Sequence, residues 1–77
     1  MQMETIKSIM AELFRLRIDD IGANTTIKTI PAWDSLRHME LVVAIETKYG
    51  VELDMDEIVT MTSYPAIVDV LKRKGAI

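Results

Sequence analysis

Residues 34–50 constrain the fold more than any other stretch. Asp34 and Ser35 are residue types that start helices, and Gly50 is a type that stops them. The residues between contain no glycine or proline and predict a helix from Leu36 to Tyr49, with Ser35 or Asp34 as its N-cap. Placed at about 100° per residue, His38, Leu41, Val42, Ile45 and Tyr49 make one stripe, expected to face the core. Leu36, Met39 and Val43 make a second, offset by about 130°, with Arg37, Glu40, Thr47 and Lys48 polar between them. A helix with one buried face does not need the second stripe. It must pack another helix there or offer apolar surface to a partner.

The flanking segments supply the elements this helix packs against. Ile6, Ile9, Met10, Leu13 and Phe14 recur at helical spacing and predict a first helix over residues 3–16. Residues 17–34 are rich in turn and breaker types, and Pro31 ends anything helical before it. Their four isoleucines, Ile18, Ile21, Ile27 and Ile30, mark a long loop pinned to the core rather than a solvated linker. Long ordered loops of this kind often carry function. Within residues 51–63, Asp54 or Asp56 caps a helix of about two turns whose acidic start suits the dipole. Ser63 caps a last helix with Pro65 in its first turn, Ile67, Val68, Val70 and Leu71 on its apolar face, and Gly75 as its stop. The fold class is all-α, with three longer helices, one short helix and a long first loop, over a single domain spanning 1–77.

Composition narrows the function. The chain has no cysteine, so it brings no thiolate and no disulfide, and with one histidine a structural zinc site is excluded. The acids Glu52, Asp54, Asp56 and Glu57 lack the ligand spacing and central glycine of an EF-hand and read as a solvated, docking face. Residues 35–57 carry six acids against two bases, which argues against nucleic acid and for protein partners with basic patches. No apolar run reaches membrane-spanning length and the start is not a signal peptide, so the expected compartment is the cytoplasm, with no membrane partner.

Catalysis requires convergent groups. Ser35 has only His38 near it in sequence, without an orienting acid or an oxyanion hole, and His38 reads as a residue at the edge of the core. No catalytic residue is assigned. Ser35 read as a point of attachment is different, because the free N–H groups and positive end of a helix dipole stabilise a phosphate ester there. From local sequence alone a plain N-cap is the preferred reading.

Asp34-Ser35-Leu36, followed by Met39-Glu40-Leu41-Val42-Val43-Ala44-Ile45-Glu46 and Tyr49-Gly50-Val51-Glu52-Leu53, resembles an acyl carrier protein. The likeness extends through Ile58-Val59 and Met61 to the final helix, while residues 1–16 match only in pattern and length. It implies a four-helix bundle and a 4′-phosphopantetheine arm esterified to Ser35, flanked by Asp34 and Leu36, through a phosphopantetheinyl transferase. Acyl thioesters would ride on the terminal thiol of that arm, which accounts for thioester chemistry in a chain without cysteine. The resemblance makes the helix after the serine the partner-recognition helix. Leu36, Met39 and Val43 are its apolar contacts, Arg37, Glu40 and Glu46 its charged ones, and Asp56 and Glu57 extend the patch. It also implies an interior able to sequester an acyl chain, lined by Ile45, Leu53, Ile58, Met61 and Ile67, which serve equally as ordinary core.

The chain departs from the fatty-acid-synthesis pattern beside the serine. Ala32-Trp33 replaces the usual glycine, and Arg37 stands where an acid is common. Trp33 is expected to be partly buried, since indole combines a large apolar area with a polar edge. The expected role is therefore a monomeric, free-standing carrier in a specialised fatty-acid, polyketide or related pathway. Its expected partners are an acyl-activating ligase, a ketosynthase or an acyltransferase-type enzyme. An aminoacyl or peptidyl carrier of the same fold, or an unmodified helical adaptor binding through Leu36, Met39 and Val43, are the alternatives.

Overall fold

A computed structural model of the chain describes residues 6–77. Four α-helices follow in order among these residues: α1 (Ile6–Phe14), α2 (Ser35–Tyr49), α3 (Met55–Thr60) and α4 (Tyr64–Arg73), with one 3₁₀ turn at Ile18–Asp20. They form the all-α architecture expected, with α1 packed on α2 and α4, and α3 on α4. The only β-type pairing among the described residues is one isolated bridge, Thr26 to Ser63.

The helix ends follow from their caps. Helix α2 starts where the Asp34 side chain accepts from the Arg37 N–H and stops at Gly50, which takes the left-handed conformation at φ 65°. Helix α3 opens with a capping box, in which Asp54 and Glu57 each accept from the other's backbone N–H. Ser63 caps α4 by accepting from the Ala66 N–H. The first helix is shorter than the periodicity predicts. It ends at Phe14 because Arg15 turns left-handed (φ 59°) and the Leu16 N–H reaches back to the Ala11 carbonyl at 2.9 Å. That is a Schellman-type stop with arginine in the place glycine favours, so apolar spacing alone gave no warning of it. Residues 3–5 of the predicted helix lie outside the described residues.

One core runs through the bundle. Ile6, Met10 and Phe14 of α1 meet Leu41, Val42 and Ile45 of α2, and Ile67, Val70 and Leu71 of α4, with Leu53 and Met61 between helices. Two members of the predicted core stripe of α2, His38 and Tyr49, are only half-buried. Both carry polar atoms that need partners. Burial pushes the Tyr49 phenol above its ordinary pKa, opposed by a hydrogen bond with the Ile6 backbone.

The long loop is anchored as expected by Ile21 and Ile30, which are buried, and by Ile27, which is half-buried; Ile18 instead stays exposed in the 3₁₀ turn. Hydrogen bonds hold the rest. Thr25 is buried and its hydroxyl accepts from the Gly22 N–H at 2.8 Å. The Ile27 N–H donates to the Thr62 carbonyl at 2.8 Å, and the Tyr64 N–H to the Thr25 carbonyl at 2.9 Å. The loop is thereby fixed to the α3–α4 junction, and its far end delivers Trp33, Asp34 and Ser35 to the start of α2.

Candidate functional site

Ser35 is the first helical residue of α2 and is exposed. Asp34, not Ser35, makes the cap: its Oδ1 accepts from the Arg37 N–H at 2.9 Å, and its carbonyl accepts from the His38 N–H at 2.8 Å. The serine hydroxyl is therefore not consumed by capping. The N–H groups of Ser35 and Leu36 belong to the first turn, where a helix has no internal acceptor to offer. An exposed hydroxyl at the positive end of the fifteen-residue α2 is a fit place for a phosphate ester.

The residues around it are tied together by the indole and the imidazole. Trp33 is only 3% exposed, more deeply buried than its polar edge suggests. Its ring stacks on Phe14 with centroids 5.0 Å apart and lies 6.1 Å from the His38 ring. Its Nε1–H donates to His38 Nδ1 at 3.0 Å, and His38 Nε2 lies 2.9 Å from the Ile58 carbonyl. The imidazole satisfies the indole edge, which is why full burial is tolerated. An indole N–H can only donate and a carbonyl can only accept, so the neutral ring carries its proton on Nε2. Both ring nitrogens of His38 are thus taken up in a structural chain through Trp33 and Ile58.

Among the described residues, no other helix covers the second apolar stripe of α2. Leu36, Met39 and Val43 are 67%, 49% and 57% exposed. With Glu40 and Ala44 they line a shallow cleft of about 370 Å³. Helix α3 adds exposed Met55 and Val59.

The charged residues assigned to the same surface are largely engaged within the chain. Arg37 and Glu40 pair with each other at 3.0 Å. A Glu46 oxygen accepts from the Leu53 N–H at 2.9 Å. Glu57 accepts from the Asp54 N–H and pairs with Lys74 at 3.0 Å. The Asp54 N–H, then Lys74, hold the Glu57 carboxyl below its ordinary value. Asp56 is exposed.

The five residues assigned to an acyl-lining role sit together in or against the core. Ile45, Met61 and Ile67 are fully buried, Leu53 is buried, and Ile58 is partly buried against them. A larger cleft, about 630 Å³, runs between α1 and α2 past Ile9, Leu13, Arg15, Arg37 and Ala44. Sequence reasoning missed it, since it depends on how two helices cross. It missed the Trp33–His38–Ile58 chain for a similar reason: the last link spans twenty positions.

No group of three or more potential metal ligands gathers among the described residues, and none of their helices is long and apolar enough to cross a membrane. The family described as "phosphopantetheine attachment site" matches residues 4–71 of the chain.

Proposed function

The chain belongs to the phosphopantetheine-attachment-site family, whose members carry 4′-phosphopantetheine covalently on a serine, and on that premise we propose that Ser35 is the residue that carries it. The observation that supports this most is the division of labour at the start of α2. Asp34 does the capping, which leaves the neighbouring hydroxyl exposed at a helix N-terminus. The bound group supplies a thiol that the protein lacks. The protein's own residues fix where that thiol is tethered, which raises its effective concentration at each partner.

Carrier domains of this family are non-catalytic, and the role we assign to this chain is likewise delivery rather than catalysis. Residues 1–77 act as one carrier domain, moving an acyl thioester between enzymes of a specialised fatty-acid, polyketide or related pathway. A transferase installs the arm, and an activating ligase, ketosynthase or acyltransferase-type enzyme loads or unloads it. Leu36, Met39 and Val43 form the contact surface, in keeping with their exposure in a shallow cleft. An apolar cargo would shelter among Ile45, Leu53, Ile58, Met61 and Ile67. Three of these have no exposed surface, so room for a chain has to be opened by moving α3 or α4.

The test is direct. Incubation with coenzyme A and a broad-specificity phosphopantetheinyl transferase should add the mass of one phosphopantetheine, and Ser35→Ala should abolish the gain. No gain in the unaltered protein, or a gain that survives the substitution, refutes the assignment.

A further inference from the structure

We propose that His38 is a positioning residue for the modification of Ser35, a role that rests on Ser35 being the attachment residue. One imidazole joins three parts of the fold. Through Nδ1 it holds Trp33, and with it the end of the long loop that leads into Asp34 and Ser35. Its own backbone lies in the first turn of α2, with the His38 N–H on the Asp34 carbonyl at 2.8 Å. Through Nε2–H it holds the Ile58 carbonyl and with it the C-terminal half of α3.

Helix α3 needs such a tie. It has six residues and none is fully buried. A short element with little buried apolar surface opens locally at low cost unless specific bonds retain it. The capping box closes its first turn, and Glu57 pairs with Lys74 beyond the end of α4. Among the described residues, the His38 bond is the hydrogen bond that ties it to α2, three residues after Ser35. An enzyme that modifies Ser35 must grip the surface around it, and that surface is composite. Leu36 and Met39 come from α2, while Met55 (71% exposed) and Val59 (61% exposed) come from α3. Val59 follows Ile58 directly, so the bond that holds the Ile58 carbonyl also sets where Val59 stands relative to Ser35.

Losing the imidazole lets α3 sample positions that the transferase does not fit. Apparent affinity then falls with the fraction of molecules in the fitting arrangement. The loss of hydrogen bonds of ordinary strength corresponds to an increase of about five- to tenfold in the KM for the carrier. The value of kcat is unchanged, because His38 touches no reacting atom.

The chain has one histidine and one tryptophan, so both links can be read spectroscopically without ambiguity. In the unaltered protein, at mildly alkaline pH, the imidazole ¹⁵N spectrum should show the Nε2–H tautomer; the Nδ1–H tautomer overturns the inference. His38→Ala should raise the KM in the transferase reaction and speed amide exchange at Ile58 and Met61 by about tenfold, with exchange at Leu41 and Ile45 unchanged. His38→Gln offers a carbonyl to Trp33 and an N–H to Ile58, and should restore most of the KM. Trp33→Phe keeps an aromatic ring on Phe14 and removes the donor together with part of the buried indole, so it tests the loop link even if His38→Ala does not fold. An unchanged KM in His38→Ala and Trp33→Phe overturns the proposal. So does a raised KM that His38→Gln fails to restore while Ile58 and Leu41 exchange accelerate together. Failure of the unaltered protein to gain mass refutes the attachment role itself, whereas the tautomer and exchange data report on the His38 chain independently of it.

Discussion

Replacing Asp34 separates two things its carboxylate does at the start of α2. It accepts the Arg37 N–H at 2.9 Å, and it places a negative charge at the positive end of the helix. The hydrogen-bonding part of an N-cap is worth about 1 kcal/mol. The charge–dipole part of an exposed residue is worth about 0.3–1 kcal/mol and is screened by salt. Asp34→Ala loses both, so about 1.5–2 kcal/mol is expected. Asp34→Asn keeps an acceptor oxygen and loses only the charge, so about 0.5 kcal/mol is expected. For a domain of this size 1 kcal/mol moves Tm by about 4–8 °C. Asp34→Ala should therefore melt about 6–16 °C below the unaltered protein, and Asp34→Asn only about 2–4 °C below. The assay is thermal unfolding followed by circular dichroism at low salt and at about 1 M salt, where the Debye length is only about 3 Å. The Asn difference should close in salt while the gap between Ala and Asn persists. If Asn is as destabilising as Ala, or if the gap between them closes in salt, the cap hydrogen bond is not what starts this helix. The pair also bears on function: Asp34→Asn that folds well yet is modified poorly would show that the transferase reads the charge itself.

Two further substitutions distinguish surface from core on the same helix. Met39→Glu should leave stability within about 0.5 kcal/mol while impairing turnover by a partner enzyme, whereas Ile45→Ala, at a fully buried site, should cost about 2–5 kcal/mol by urea unfolding. If Met39→Glu unfolds the domain, the second stripe is core and the surface assignment fails. The Glu57 carboxyl is held below its ordinary value, so its contribution is present at neutral pH and is lost as pH falls through the folded-state value. Stability measured against pH should fall on the acid side in the unaltered protein. In Glu57→Gln it should start lower at neutral pH and fall less steeply; an identical acid limb in the two proteins would refute the role given to the Asp54 N–H and Lys74.

What could be read from the sequence was whatever is local. The ends of α2 and α4 were legible because Asp34, Gly50 and Ser63 act on backbone groups within a few residues of themselves. The two stripes of α2 were legible because helical period alone places Leu36, Met39 and Val43 away from Leu41 and Ile45. The end of α1 was not, since a left-handed arginine has no compositional signal. Nor was the depth of Trp33. A buried indole needs an acceptor for its N–H, and the one it uses is a histidine five residues on, whose ring is in turn fixed by the carbonyl of Ile58. Burial of a polar edge is decided by partners, and partners brought together by tertiary folding are invisible to a pattern search.

The same distinction changes the meaning of the acidic middle of the chain. By count, residues 35–57 offer a partner six acids against two bases. In the structure Glu40 is held by Arg37, Glu46 by the Leu53 N–H, and Glu57 by the Asp54 N–H and Lys74, while Asp54 caps α3. Each of these carboxylates already has a donor, and a partner's lysine must compete with it. The exposed ion pair is weak, so Glu40 can still be recruited, but only by releasing Arg37 beside the attachment segment. A backbone N–H does not cancel a carboxylate's charge, and Glu52 and Asp56 stay exposed, so an acidic field remains beside the open apolar groups of Leu36, Met39 and Val43. On the proposed reading of α2 as the recognition helix, the remaining acids would steer a partner in and close apolar fit at Leu36, Met39 and Val43 would hold it. On the same reading Arg37 would act as a filter, since a partner whose basic patch meets α2 finds the guanidinium already on Glu40.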